Sequence, residues 1–166
     1  YAATVRKHIG PLGLTLVLEP GRLIVGNAGI LVTEVIYVKD GGEKTFVIVD
    51  AAMNDLIRPT LYDAWHEIAP VVISAANAPR IRADVVGPVC ETGDYLALDR
   101  EMAMPKPGDL ISVGSAGAYG AVQAGQYNSR PLIPEVLVKG DRFHIIRPRP
   151  TYDVMMGADD LPDWLD

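Results

Sequence analysis

The sequence predicts a mainly β chain, a closed β-barrel or β-sandwich entered from the end of an α/β unit. Short runs rich in β-branched residues recur along most of its length, separated by Gly, Pro and Asp turn signals. Only one internal stretch has helical texture, and no internal repeat or low-complexity segment interrupts the pattern. With 166 residues, 49% hydrophobic and 22% charged, the chain is long enough for one ordinary domain with its own core.

Taken in order, "YAATVRKHIGPLGLTLVLEPGR" predicts an amphipathic helix, a Gly-Pro-Leu-Gly turn and an apolar strand that stops at a charged loop. That is the texture of the last helix and strand of a repeating α/β unit whose earlier repeats are missing, and the start at Tyr1 reads as a cut. The runs "GILVTEVIYVKD" and "EKTFVIVDA" flank the turn "DGGE" and predict a hairpin. In "NDLIRPTLYDAWHEI" Asn54 is an N-cap candidate, Pro59 suits a first helical turn, and Leu61, Tyr62 and Trp65 fall at i, i+1 and i+4. Further strands are predicted at "ADVVGPVC", "YLALDREMA", "DLISVGS", "PEVLVKG" and "DRFHIIRP", and the tail "YDVMMGADDLPDWLD" as a short acidic helix or a segment draped over the barrel.

Charge and cysteine content exclude several functions. A net charge of -6 and a pI near 5.0 leave no basic stripe for a nucleic-acid backbone. The 1 cysteine cannot form an internal disulfide, and no Cys or His cluster has metal-ligand spacing, which points to a cytoplasmic chain without structural zinc. No apolar run reaches the ~18 residues of a membrane span.

Several motifs could carry chemistry, and each also has a plain structural reading. Glu19-Pro20-Gly21-Arg22, followed by Gly26 and Gly29, could bring backbone amides and a guanidinium to a phosphate or carboxylate; it also reads as a surface turn after a buried strand. Arg58 and Tyr62 share one face of a helix, where they could hold a carboxylate or form a solvated charge over a packed ring. Cys90 ends an apolar run as a buried small residue would, yet Glu91 and Asp94 follow at once. Neighbouring carboxylates disfavour a thiolate, so the chemical reading is a proton donor ahead of a nucleophile. Tyr119 sits in the small-residue run "GSAGAYG", suited to a flat ligand or to packing. His66 receives no role.

Together "EPGR" with "NAG", "RPTLYDAWH", "GPVCETGD", "PGD" with "GAY", and "NSRP" with "PEVLV" resemble, in order and spacing, the carboxyl-terminal portion of the diaminopimelate decarboxylase family. The resemblance spans about Leu14 to Pro150. It implies a fold type III, alanine-racemase-like enzyme that uses pyridoxal 5'-phosphate to convert meso-2,6-diaminopimelate to L-lysine and CO2, the last step of lysine biosynthesis. Residues 1-22 would end the (β/α)8 cofactor barrel, and residues 23-166 would form the β-domain with a short helix near 54-67. The resemblance assigns cofactor contacts to Glu19, Pro20, Gly21, Arg22 and Tyr119, and substrate contacts to Arg22, Arg58, Tyr62, Glu91 and Tyr119. Cys90 becomes the proton donor, supplied with Glu91 to the partner subunit's site in a homodimer.

Two departures bear on this reading. Thr92 replaces the serine usual in "CESGD", which preserves the hydroxyl. None of Lys7, Lys39, Lys44, Lys106 or Lys139 lies in the context of the family's cofactor-bearing lysine, so the chain alone is predicted to be inactive; an opened barrel strand and a bare dimer interface would expose apolar surface, which predicts self-association. The alternatives are a related decarboxylase of ornithine, arginine or carboxynorspermidine, in which aspartate tends to stand where Glu91 does, or a non-catalytic β-barrel interaction module.

Overall fold

A computed structural model describes residues 1-165, residues 74 and 76 by their backbone alone. The predicted hairpin forms: β1 (Leu31–Asp40) and β2 (Thr45–Val49) pair antiparallel across the "GGE" turn. Alternation along β1 sends Leu31, Thr33 and Val35 inward and Val32, Glu34 and Ile36 outward. A register shift between Val35 and Tyr37 then turns Val38 rather than Tyr37 toward the core.

The remaining strands complete one six-stranded sheet. β3 (Ile68–Pro70), β4 (Arg80–Val86), β5 (Tyr95–Ala103) and β6 (Leu110–Val113) join it in the order β3-β6-β1-β2-β4-β5. Only β2 and β4 run parallel, which requires the long crossover from Asp50 to Pro79 that carries the helical segment. The sheet curls until its two ends meet, where Arg100 of β5 donates to the carbonyl of His66 beside β3 at 2.5 Å. The domain is therefore mainly β, a nearly closed barrel. Inside it Val35, Val47, Val49, Val85, Leu96, Ile111 and Val113 are buried, each contributing about 1.5–3 kcal/mol of apolar burial.

The helical stretch is shorter than predicted. The helix α3 spans Arg58–Tyr62, with Pro59 in its first turn as expected, and ends at Asp63 in the left-handed region, φ 50°. Asn54 is not its N-cap: the Asn54 side chain donates instead to the carbonyl of Gly125 at 2.9 Å and accepts from Arg130 at 3.1 Å. Leu61, Tyr62 and Trp65 are exposed, because a single turn of helix buries no continuous apolar stripe. The three-residue β3 carried no alternation for the sequence reading to detect.

Four peripheral pieces remain. Helix α1 (Ala2–His8) and the Gly10–Leu12 turn form as predicted, but Leu14 to Leu18 pair with no strand and are exposed, since a parallel strand needs neighbours on both sides. After Pro20 the chain enters helix α2 (Gly21–Val25), which the strand-rich pattern beyond "EPGR" did not indicate. β7 (Glu135–Lys139) and β8 (Arg142–Arg147) form a separate hairpin, and Tyr152–Met156 is the short helix α4, capped by Thr151.

Candidate active site

The loop that carries Cys90 is built around one buried carboxylate. Asp94, 5% exposed, accepts from the amides of Val89 at 2.6 Å and Met53 at 2.7 Å. Its own carbonyl accepts from Gly87 at 3.1 Å. Three segments are thereby tied to one residue, and both oxygens of that carboxylate are engaged. Gly87 must be glycine here: a Cβ would lie 2.6 Å from both the Ala51 carbonyl and Asp94 Oδ2. Between Val89, which is buried, and Asp94, Cys90 and Glu91 project to the surface. The Cys90 thiol is thus exposed in this chain rather than packed in its core.

Helix α3 is joined to that same loop. Thr60 donates its hydroxyl to the carbonyl of Gly93, and Gly93 lies so close that a Cβ would come 2.6 Å from Thr60 Cγ2. The helix bearing Arg58 and Tyr62 thus has a fixed position relative to Cys90. On the far side, Arg130 of "NSRP" donates to Asn54 Oδ1 and to the Asp50 carbonyl at 2.7 Å, and pairs with Asp55 at 3.5 Å. Burial pushes the Asp55 carboxyl upward against the opposing pull of the Ala52 amide and Arg130.

Two groups of predicted residues emerge. In the first, the Arg58 guanidinium lies 5.6 Å from the centre of the Tyr119 ring, and Tyr119 adopts φ 59°, an uncommon backbone state for a bulky residue. The loop bearing Tyr119 is held against the end of α2: Gly117 donates to Gly26, Ala116 donates to Gly29, and a Cβ on Gly29 would be 2.6 Å from the Gly117 Cα. The Glu19-Pro20-Gly21-Arg22 segment leads into that helix, and Arg22 Cγ and Ala118 Cβ lie 3.8 and 4.0 Å from where a Cβ on Gly26 would stand. All four of its residues are exposed, and Gly21 has open space where a side chain would be.

His66 belongs to this first group, and the sequence reading missed it. It is 3% exposed, with Nδ1 2.8 Å from the Gly114 carbonyl. Burial lowers its pKa, only partly opposed by the hydrogen bond to Gly114, and the positive charges of Arg58, Arg100 and Arg22 lower it further. Arg100 also stacks over Trp65 at 4.6 Å, and burial lowers its own pKa. Nothing in "YDAWHEI" distinguishes a buried histidine from a surface one, because its burial comes from β6, distant in sequence.

The second group surrounds Glu91. An open recess of about 330 Å³ is lined by Met53, Asn54, Ile57, Glu91, Gln123 and Tyr127. Tyr127 donates to Glu91 Oε2 at 3.4 Å, and the Gly93 amide to Oε1 at 3.4 Å. Among the described residues, no hydrogen bond or ion pair joins Cys90 or Glu91 to Arg22, Arg58 or Tyr119. The predicted site residues thus fall into two groups, joined through the hydrogen bond from Thr60 to Gly93. No group of His, Cys, Asp and Glu among the described residues could hold a metal, and no helix is long and apolar enough to cross a membrane.

Comparison with known proteins places this frame. Residues 16–117 match the family model described as pyridoxal-dependent decarboxylase, C-terminal sheet domain. The chain belongs to this family. A diaminopimelate decarboxylase from Neisseria meningitidis serogroup A is 53% identical over 156 residues, 94% of this chain and 38% of that protein. The crystal structure of diaminopimelate decarboxylase from Helicobacter pylori complexed with L-lysine superposes with a TM-score of 0.83 at 40% identity, over 95% of this chain and 38% of that one. A lysine decarboxylase from Selenomonas ruminantium superposes less well, with a TM-score of 0.58 at 28% identity over 67% of this chain and 29% of that one. The chain therefore spans well under half the length of these relatives.

Proposed function

We propose that this chain is the carboxyl-terminal portion of a diaminopimelate decarboxylase, which releases CO2 from meso-2,6-diaminopimelate to give L-lysine in the cytoplasm. The observation that carries the reading is the frame around Asp94, which presents Cys90 and Glu91 at the surface and ties them through Thr60 to the helix of Arg58 and Tyr62. A stand-alone interaction module explains neither that exposure nor the buried carboxylate beneath it. Similarity to relatives named diaminopimelate decarboxylase, well above that to a lysine decarboxylase, favours the substrate with two amino-acid ends.

Residues 1-22 would close the cofactor barrel, and residues 23-166 would form the β-domain. The residues present fit a phosphorylated cofactor: the amides of Gly21 and Arg22 open a helix without a side-chain cap, and the space around Gly21 is open. Glu19, Pro20, Gly21, Arg22 and Tyr119 would hold pyridoxal 5'-phosphate. When bound, that group supplies the electron sink for loss of CO2. Arg58, Tyr62 and Arg22 would orient the substrate by its distal carboxylate, which a guanidinium fork grips bidentately and a phenol supports with a further donor. Glu91 would take the distal ammonium. The Cys90 thiol would deliver the proton that replaces the departing carboxylate.

The surface exposure of Cys90 and Glu91 supports a homodimer in which they complete the partner subunit's site. In the complete enzyme supplied with pyridoxal 5'-phosphate, CO2 is expected from diaminopimelate and not from ornithine or arginine; equal release from ornithine would contradict the substrate assignment. The isolated chain is expected to release none.

A further inference from the structure

One buried pair is left unexplained by the roles above. Among the described residues, Arg58 Nε and His66 Nε2 are both buried and have no hydrogen-bond partner. The two are complementary. Because a carbonyl can only accept, the 2.8 Å contact with Gly114 requires the proton on His66 Nδ1. A neutral ring then carries a lone pair at Nε2, while Arg58 Nε is a donor without an acceptor. An orphaned donor and an orphaned acceptor buried in one neighbourhood each lose the free energy of a hydrogen bond unless they meet.

The surroundings keep the ring neutral. His66 is almost fully buried, and Arg22, Arg58 and Arg100 all act on it with positive charge. A second cation there would repel the nearby Arg58 charge, whereas a lone pair attracts it. The frame also fixes the ring: Gly114 accepts from His66 and donates its own amide to the Glu67 carbonyl at 2.8 Å, while Arg100 holds the His66 carbonyl.

We infer that His66 is a positioning residue for Arg58, accepting at Nε2 a hydrogen bond that a bound water relays from the Arg58 guanidinium. This rests on the decarboxylase reading for its consequence, since Arg58 is there the residue that grips the distal carboxylate. With Nε committed to that water, the two terminal nitrogens of Arg58 remain free for a bidentate grip, and the guanidinium plane is set over Tyr119. His66 touches neither substrate nor cofactor; it acts through Arg58.

Two substitutions separate this role from a purely structural one. H66N keeps a donor where Nδ1 meets Gly114 and removes the acceptor at Nε2, whereas H66Q keeps an acceptor near Nε2 and loses the Gly114 bond. In the complete enzyme, H66N is expected to raise KM for diaminopimelate by roughly tenfold with kcat within about twofold, and H66Q to keep KM within about threefold. A structural role predicts the reverse order, and that order, or an unchanged KM in H66N, overturns the proposal.

A second measurement does not depend on activity. Nitrogen NMR of the His66 ring in the complete enzyme is expected to report the Nδ1-protonated tautomer, with an Nε2 resonance that moves in R58M. A protonated Nε2, or a resonance indifferent to R58M, also overturns it. If the enzyme fails to act on diaminopimelate while the resonance responds, the substrate reading fails and the His66–Arg58 link stands.

Discussion

At the scale of single residues, the site depends on groups that never touch a ligand. Asp94 is the clearest. Its replacement by alanine leaves the Val89 and Met53 amides without acceptors beneath Cys90, and is expected to cost about 2–4 kcal/mol in urea unfolding. An Asp94→Ala chain as stable as the parent would show that the loop is held by other means. Exposure of Cys90 predicts that the folded chain reacts stoichiometrically with a thiol reagent without denaturant; protection until unfolding would return the thiol to a packing role. His66 gives a pH prediction. Its folded-state pKa is lowered from 6.5, so the unfolded chain takes up the proton first and stability is lost as pH falls below that value. The amide that H66N introduces cannot titrate, so the stability difference between parent and H66N should be larger at about pH 7.5 than at about pH 5.5.

At the scale of elements, the Thr60 hydroxyl joins α3 to the Cys90 loop. Thr60→Val keeps the shape and leaves the Gly93 carbonyl without its donor, which is expected to cost about 1–3 kcal/mol and, in the complete enzyme, to lower kcat/KM more than stability alone explains. Unchanged kcat/KM would mean that the two groups need no mutual registry. The same elements show what a sequence discloses. β1, β2, β4, β5 and the β7–β8 hairpin were legible because alternation and turn residues are local signals. The shortening of α3 to one turn was not, because the signal to stop is Asp63 in a left-handed state, which no glycine announced. Asn54 had the chemistry of a cap, and only the position of Arg130, far along the chain, diverts it. Motif order singled out Arg58, Tyr119 and Cys90, whereas His66, Thr60 and Tyr127 stand out only through tertiary contacts.

At the scale of the whole molecule, the distribution of apolar surface is the dominant feature. Leu14 to Leu18 and Leu23 are exposed, as are Val136, Leu137, Val138, Ile145 and, at 75%, Phe143 on the β7–β8 hairpin. Surface of this extent, with unpaired strand edges, predicts concentration-dependent self-association of the isolated chain, seen by sedimentation velocity; a monomer at all concentrations would contradict it. In the proposed homodimer Cys90 of one subunit would face Arg58 and Tyr119 of the other. That division of labour is the centre of the account, and subunit mixing tests it most directly. One complete-enzyme variant carries Cys90→Ala and a second lacks the cofactor-bearing lysine of the barrel, so each is inactive alone. If Cys90 serves the partner's site, mixed dimers contain one site with both groups intact, and CO2 release from diaminopimelate returns to about a quarter of the parent's. If mixing under conditions that exchange subunits restores nothing, Cys90 acts within its own subunit.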